Sequence, residues 1–189
     1  MLNLKSKAIS LIHKIATGSR KVRMLLTPVV GLSYILFASL FVIASFPVNR
    51  WLGLQKIPAK PLNLYFSFPI ICIGLILILW SVFHFLKAKG TPVPLSPPPV
   101  LVVNGPYAFV RNPMLSGIFF VLFGCGFLFQ SISLLVLFTP LFIFMNTIEI
   151  KMIEEVELEM RLGREYLDYK KRTPMFIPKL FKKYRNKSL

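Results

Sequence analysis

Four stretches of this 189-residue chain contain no Asp, Glu, Lys or Arg, and their lengths limit the fold to one that can enter a membrane. They are residues 29–46, 64–85, 114–129 and 133–148. The first two contain 18 and 22 residues, enough to cross a hydrocarbon core about 30 Å thick as α-helices. The last two belong to an uncharged block of 35 residues, which as one helix would be about 52 Å long, too long for a single crossing. The sequence therefore predicts an all-α membrane protein with about four transmembrane helices, the last two forming a tight hairpin.

The positions of the basic residues predict the orientation. Of 23 Lys and Arg residues, only three (Arg50, Lys56 and Lys60) lie between the first two stretches, and none lies between the last two. Because Lys and Arg accumulate in cytoplasmic loops, we expect both termini and the 86–112 loop in the cytoplasm, at a bacterial inner membrane or an endomembrane. The net charge of +16 favours the anionic inner leaflet as a partner. Nucleic acid is not expected, because the basic residues lie beside the spans and form no soluble domain.

The chain divides into three regions. Residues 1–28 contain no acid and place apolar residues at helical spacing, which is typical of an amphipathic surface helix and also of a targeting peptide. Residues 29–86 hold the first two helices. Residues 87–189 hold a proline-rich loop, the hairpin and a C-terminal segment predicted to be a cytoplasmic helix over 153–171. The loop has five prolines within eight residues, which favours either a stiff spacer or an arm across a pocket.

All seven acidic residues lie within one segment of 20 residues that begins at the inner end of the last apolar stretch. Some have an ordinary partner at helical spacing, as Glu157 has in Arg161. Glu149 has no cation three or four residues away, and a carboxylate at the mouth of a span is costly unless it is paired. Glu154 and Glu155 share a single Lys at helical spacing. We therefore predict that these three carboxylates hold a cationic ligand.

The third helix is predicted to begin at Asn112 and Pro113, because Asn suits the N-cap and Pro the first helical position. A helix N-terminus attracts anions, and the preceding Arg111 offers a bidentate partner for a carboxylate. The fourth helix ends at the same membrane face, where its partial charge favours cations and Glu149 follows. An anion site would thus lie beside a cation site. This layout matches the amino-acid end of S-adenosylmethionine, a zwitterion with an attached sulfonium.

Other candidate residues have a structural explanation as well as a functional one. Gly117 lies one turn from Pro113, where it would let a ligand approach the backbone, although glycines inside spans more often serve helix packing. His84 lies at the cytoplasmic end of the second helix, as an interfacial polar residue or as a base. Cys72 and Cys125 lie inside spans without paired spacing or a nearby His, so neither a metal site nor a disulfide framework is expected.

Two ordered sets of motifs resemble known families. The first joins Gly-Pro-Tyr at 105–107 to Val-Arg-Asn-Pro-Met at 110–114, and the second joins Glu-Glu-X-Glu-Leu at 154–158 to Leu-Gly-X-Glu-Tyr at 162–166. Together they resemble the isoprenylcysteine carboxyl methyltransferase and phospholipid N-methyltransferase families over about half of the chain. The resemblance implies a membrane-embedded, S-adenosylmethionine-dependent methyltransferase whose methyltransferase-like region is 87–189.

The resemblance also implies where the cofactor binds. In those families an Arg-His/Asn-Pro segment and a Glu-Glu pair form the cofactor site, which falls here on Arg111, Asn112, Pro113, Glu154 and Glu155. Many relatives have His in place of this chain's Asn and a Tyr two residues after the Pro, where this chain has Leu. Tyr107 is the aromatic residue expected to substitute for that missing Tyr, and Gly117 is expected to let the cofactor approach.

The predicted reaction is transfer of a methyl group to a lipidic or small hydrophobic acceptor, with no metal. The acceptor is left open among the carboxylate of a prenylated cysteine, an amine and a thiol. An amine or a thiol must lose a proton, and Glu149 and His84 are then the candidate bases. The alternative is a non-catalytic membrane scaffold that binds anionic lipid, and a small-solute transporter is disfavoured because the spans offer few polar residues. The oligomeric state is also left open.

Overall fold

The computed structural model describes residues 7, 9–11, 14–15, 18–56, 59–91, 98 and 100–178, and within these ranges it contains helices and no strands. We number the helices in chain order: α1 Arg20–Trp51, α2 Leu62–Lys87, α3 Pro113–Leu128, α4 Leu134–Leu162 and α5 Arg164–Arg172. A short 3₁₀ turn, Gly105–Ala108, precedes α3. The all-α prediction is confirmed for the described residues. Most of the segment 1–28 and four of the five loop prolines lie outside them.

Three of the described helices are long and apolar enough to cross a membrane: Leu25–Trp51 with 27 residues, Leu62–Lys87 with 26 and Leu134–Leu162 with 29. Their side chains leave much apolar surface exposed, as lipid-facing helices do. The fourth apolar helix, α3, has only 16 residues, fewer than the about 20 that a span needs. The described part therefore contains three helices that could cross a membrane and one shorter apolar helix.

Helices α2 and α3 pack against each other through two glycines. A Cβ atom built on Gly74 would lie 2.6 Å from the carbonyl oxygen of Gly117, and a Cβ built on Gly117 would lie 2.6 Å from the carbonyl oxygen of Gly74. The two backbones are thus in direct contact, which only glycine permits and which is a common way to join helices in membranes. Gly117 therefore has a structural role at the helix interface.

Aromatic rings join α1 to α3 and α4. Phe142 of α4 is fully buried, and its ring lies 5.1 Å from that of Phe41 in α1 and 6.2 Å from that of Phe119 in α3, both edge-on. Edge-to-face pairs at these separations are favourable beyond the area that they bury. The aromatic contacts thus form the apolar core where the three helices meet.

A buried polar cluster fixes the connection between α3 and α4 to α1. Asn49 donates from Nδ2 to Ser131 Oγ at 2.8 Å and accepts the backbone N–H of Ser133 at 2.9 Å. Ser133 Oγ in turn donates to the carbonyl of Ser45 at 2.8 Å. All three serines are buried, so these bonds satisfy polar groups that apolar surroundings would otherwise leave unpaired.

Helix α4 departs from regular α-geometry at two π turns, Leu134–Phe138 and Ile150–Glu154. In the second, the N–H of Glu155 donates to the carbonyl of Ile150, five residues earlier. The helix ends because Gly163 adopts φ +58°, a left-handed conformation that glycine adopts without steric cost. The single helix predicted over 153–171 is therefore divided at Gly163, and its first half continues α4.

Candidate functional site

One cavity lies where α4 and α5 meet the segment that leads from α2 to α3. Its empty space is about 830 Å³, including the part that opens to solvent. Polar side chains and an apolar wall share the lining. The lining residues are Phe85, Thr91, Pro98, Val100, Leu101, Val102, Tyr107, Arg111, Asn112, Glu149, Ile150, Glu154, Glu157, Leu158, Arg161, Leu162, Tyr166 and Tyr169.

Glu149 and Glu154 both line this cavity, although they are five residues apart on one helix. In a regular α-helix, five residues correspond to an offset of about 140° around the axis. The π turn Ile150–Glu154 contains one residue more per turn, which reduces that offset. Glu149 is exposed and Glu154 is partly buried. Neither carboxylate forms a hydrogen bond or an ion pair with any residue that the structure describes, and each is close enough to the other to be repelled.

Arg111 reaches the cavity, but most of its guanidinium is occupied by the protein. Nη2 donates to Glu155 Oε1 at 2.6 Å, and Nη1 donates to the carbonyls of Lys170 at 2.8 Å and Thr173 at 3.2 Å. The buried Nε atom has no hydrogen-bond partner in the described part of the chain. The Nε–H of Arg111 is therefore not used by any residue that the structure describes.

Glu155 belongs to a buried ion-pair network and does not line the cavity. Its Oε2 accepts a hydrogen bond from Lys170 Nζ at 2.7 Å, while Oε1 accepts that from Arg111. Lys170 Nζ also lies 2.7 Å from Glu159 Oε1. The hydrogen bonds to Glu155 and Glu159 raise the pKa of Lys170 above its ordinary value. This network ties α4 to α5 and to the start of α3.

Helix α3 begins at Pro113, as the sequence predicts. The two residues before it are hydrogen-bonded to the C-terminal segment. The backbone N–H of Arg111 donates to the carbonyl of Pro174 at 2.8 Å, and that of Asn112 donates to the carbonyl of Met175 at 3.1 Å. Pro113 is fully buried and does not line the cavity. Of this segment, Arg111 and Asn112 line the cavity.

Three tyrosines form one side of the site. Tyr169 donates its hydroxyl hydrogen to the carbonyl of Tyr107 at 2.7 Å, which ties α5 to the 3₁₀ turn. Tyr166 lies beside Tyr169, with ring centroids 6.4 Å apart. Burial raises the pKa of all three phenols above the ordinary value of 10.0, so each stays a neutral donor. The cavity role of Tyr166 and Tyr169 is missed from the sequence, although both fall in or beside the second motif.

Like Glu155 and Pro113, two further residues predicted as site residues lie outside the cavity lining. His84 packs its ring against Gly105, where a Cβ would collide with the imidazole, and its Nδ1 lies 2.9 Å from the carbonyl of Trp80. Gly117 contacts Gly74 at the α2–α3 interface. The structure therefore gives both residues packing contacts, and it brings Tyr107, Arg111 and both unpartnered carboxylates together in one cavity.

Arg161 is the second arginine in the cavity and is missed from the sequence as a site residue. Its Nε donates to Glu157 Oε1 at 3.0 Å, so the predicted pair at four-residue spacing is confirmed. Its Nη1 donates across the cavity to the carbonyl of Pro98 at 3.3 Å. Only the tertiary structure reveals that second contact, because 63 residues separate the two partners.

No group of three or more His, Cys, Asp or Glu side chains that could hold a metal ion occurs among the described residues. The side chains that line the cavity offer three carboxylates, of which Glu157 is paired with Arg161, together with two arginines and three neutral phenols beside an apolar wall. Such a set suits a ligand that carries both positive and negative charge.

Comparison with known proteins identifies a family. A family model described as phospholipid methyltransferase matches residues 62–165, more than half of the 189 residues. The matched region runs from the start of α2 into α5 and contains most of the cavity, whereas α1 precedes it. The match confirms the resemblance drawn from the sequence motifs. Searches of curated proteins and of solved structures each returned no significant match.

Proposed function

Because the chain belongs to the phospholipid methyltransferase family, a family of membrane methyltransferases, we propose that it transfers a methyl group from S-adenosylmethionine to an acceptor that arrives from the bilayer. The observation that carries the proposal is the pair Glu149 and Glu154. These two carboxylates share a cavity and have no protein partner in the described part of the chain. A membrane protein retains such costly groups where they meet a cation.

The cationic half of the cofactor fits the acidic side of the cavity. In this proposal Glu154, the more buried acid, pairs with the cofactor's ammonium or sulfonium, and Glu149 lies at the exposed rim. The negative charges of Glu149 and Glu154 repel each other, and a bound cationic group would reduce that repulsion. A charge-assisted hydrogen bond donated by the ammonium would be about twice as strong as a neutral one.

The anionic half of the cofactor fits the donors on the opposite side. The buried Nε–H of Arg111 lacks a partner within the described residues, and Asn112 lines the same cavity. We propose that these two groups take the carboxylate of the cofactor. Arg111 itself is held in place by Glu155, so its orientation precedes ligand binding. Such preorganisation reduces the entropy lost when a ligand binds.

When bound, S-adenosylmethionine supplies an electrophilic methyl group, whose bond to sulfur breaks, leaving its electron pair on sulfur, as the bond from the acceptor to carbon forms. The chain's own task is to orient the two reactants and exclude water. Apolar side chains that line the cavity, among them Leu101, Val102, Leu158 and Leu162, suit that task. Correct orientation of two reactants can lower a reaction barrier by several kcal/mol, and by up to about 7–11 kcal/mol in the best cases.

We further propose an amine as the acceptor, with Glu149 as the residue that receives its proton. A carboxylate at the exposed rim attracts an ammonium headgroup and repels a carboxylate acceptor. An amine becomes nucleophilic only after losing a proton, and Glu149 is the titratable cavity residue nearest the last apolar turns of α4. His84, the other candidate base, packs against Gly105 outside the cavity lining and is not needed in this scheme.

The proposal includes the orientation predicted from the basic residues. The cavity and both termini would face the cytoplasm, at a bacterial inner membrane or an endomembrane. Exposed lysines near the cavity, namely Lys87, Lys89 and Lys151, would then meet the anionic lipids of the inner leaflet, each contributing about 1 kcal/mol to the attraction. Tagging either terminus with a reporter that is active on one side of the membrane only tests this orientation.

Cofactor binding is the first test. The affinity of S-adenosylhomocysteine is measured by calorimetry on the protein in lipid nanodiscs, for wild type, Glu154→Gln and Glu165→Gln. Glu165 is an exposed acid of α5 that does not line the cavity, so its replacement removes the same charge elsewhere. We expect Glu154→Gln to weaken binding at least about tenfold, equivalent to about 1.4 kcal/mol, and the control to bind like wild type. If the folded wild-type protein binds no S-adenosylhomocysteine, the methyltransferase proposal is wrong and the non-catalytic membrane scaffold is favoured.

The acceptor is tested separately, with methyl transfer from labelled S-adenosylmethionine to vesicles that contain an aminophospholipid, a prenylated cysteine acid or a lipid thiol. We expect labelling of the amine, and a loss of kcat in Glu149→Gln that exceeds the loss of cofactor affinity. Labelling of the prenylated acid by both wild type and Glu149→Gln would exclude both the amine and the proposed base.

A further inference from the structure

The cavity wall that faces α4 is attached to that helix through Arg161. Arg161 Nη1 donates to the carbonyl of Pro98 at 3.3 Å, while Nε of the same guanidinium donates to Glu157 Oε1 at 3.0 Å. Pro98 is followed in the chain by Val100, Leu101 and Val102, which line the cavity together with it. The guanidinium therefore connects α4 to the start of this apolar wall.

The contact is enclosed and its charge is balanced. Only 13% of the Arg161 side chain and 4% of the Glu157 side chain are exposed. Glu157 lies one turn before Arg161 on the same helix, so it neutralises the guanidinium and fixes the direction in which the remaining N–H groups point. A buried arginine with its charge already neutralised is better suited to hold a backbone carbonyl than to attract a free anion.

Pro98 also lies in close contact with Gly90. A Cβ built on Gly90 would collide with the backbone nitrogen and Cα of Pro98, so this approach requires glycine. Gly90 is buried and does not line the cavity. Pro98 thus contacts both Gly90, just after α2, and Arg161 on α4, and either partner can be altered independently.

We propose that Arg161 is a positioning residue that holds Pro98, and through it the apolar wall formed by Val100, Leu101 and Val102, at the distance from α4 that ligand binding requires. The proposal rests on the proposed function only for the identity of the ligand. It assigns Arg161 an indirect role and predicts that a change at Gly90 has the same consequence. The competing role is direct contact between Arg161 and the ligand's carboxylate.

Two ligands separate these roles: S-adenosylmethionine and its decarboxylated analogue, which lacks only the carboxylate. Their dissociation constants are measured for wild type, Arg161→Gln and Gly90→Ala in nanodiscs. We expect both substitutions to raise the dissociation constants of both ligands by a similar factor of at least about ten. Arg161→Lys is expected to stay impaired, because one ammonium cannot reproduce the planar fork that contacts Glu157 and Pro98 together. A loss confined to the ligand with the carboxylate would overturn the positioning role.

A matched glycine control and a ligand-free measurement complete the test. Gly31→Ala adds a Cβ with no atom within 4 Å and is expected to bind like wild type. Without ligand, Arg161→Gln and Gly90→Ala are expected to accelerate amide hydrogen exchange at Val100, Leu101 and Val102, relative to α3. Unchanged exchange in both variants, whose melting temperatures show that they are folded, overturns the proposal. A wild type that binds neither ligand contradicts the proposed function, while the exchange measurement still decides the role of Arg161.

Discussion

Arg111 and Glu155 lie 44 positions apart in the chain and meet in a hydrogen bond of 2.6 Å between Nη2 and Oε1. Their side chains are only 11% and 4% exposed. Glu155 also bonds to Lys170, so one buried carboxylate joins the segment before α3, the last part of α4 and the last turn of α5. The adjacent Glu154 has no such partner among the described residues and lines the cavity. Two consecutive acids thus have different tasks.

Replacing Glu155 by Gln is expected to lower the free energy of unfolding by about 3–5 kcal/mol, because it leaves the buried guanidinium of Arg111 without its counter-charge. Unfolding in mixed detergent–SDS micelles measures the effect. Glu159→Gln is the control, since that carboxylate is 35% exposed and exposed pairs contribute about 0–1 kcal/mol. A Glu155→Gln protein of normal stability that has lost cofactor affinity would instead make Glu155 a ligand-binding residue.

Replacing Gly117 by Ala is expected to separate α2 from α3. The new Cβ would meet the carbonyl oxygen of Gly74 at 2.6 Å, and a backbone atom cannot move aside as a flexible side chain does. Overpacking of this kind costs about 1–3 kcal/mol of unfolding free energy, measurable in the same micelles. Gly31→Ala, placed where no atom lies within 4 Å, is expected to cost nothing. Equal stability of the two variants would contradict the direct backbone contact.

Replacing Asn49 by Ala removes the two hydrogen bonds that hold the α3–α4 connection to α1. Side-chain hydrogen bonds between membrane helices contribute about 0.6 kcal/mol each on average, so a loss of about 1–2 kcal/mol is expected, while cofactor affinity stays unchanged. Ser39→Ala serves as the control, since its hydroxyl bonds to a carbonyl of its own helix and is exposed. A larger effect on binding than on unfolding would show that this cluster communicates with the cavity.

The three cavity tyrosines predict how stability depends on pH. Burial raises the pKa of Tyr107, Tyr166 and Tyr169 above 10.0, so above about pH 10 the folded protein binds more protons than the unfolded chain. Stability from these groups is therefore complete below about pH 10 and decreases as the pH rises further. Unfolding measured between about pH 8 and 11 tests the sign. Tyr169→Phe removes one of the three groups and should make the decrease shallower.

Several features of the fold and site follow from the sequence alone. The long uncharged stretches predict the apolar helices, since only helices of that length can cross a bilayer. The Asn112-Pro113 signal predicts the start of α3, because Pro fixes the backbone and lacks the N–H that a first helical turn leaves unpaired. The same local chemistry predicts the pairing of Glu157 with Arg161. These are short-range properties, and a sequence displays them directly.

The division of labour between Glu154 and Glu155 could not be predicted. Neighbouring residues on a helix point in directions about 100° apart, but which one faces a cavity depends on where α5 and the start of α3 pack. The spacing of charges along one helix likewise does not predict the ion pairs of Lys170, which reaches Glu155 and Glu159 from α5. The sequence predicts that Gly117 lets a ligand approach the backbone, whereas in the structure it contacts Gly74 on another helix. Each missed relationship joins residues that are distant in the chain.

The π turn Ile150–Glu154 amounts to one inserted residue in an otherwise α-helical α4. Such an insertion rotates everything that follows it by about 100° relative to everything before it. The inserted residue therefore sets how the part of α4 that carries Glu154 and Arg161 is rotated relative to the apolar part of the same helix. Gain or loss of this one residue would change which acids face the cavity without altering how the apolar part of the helix sits in a bilayer.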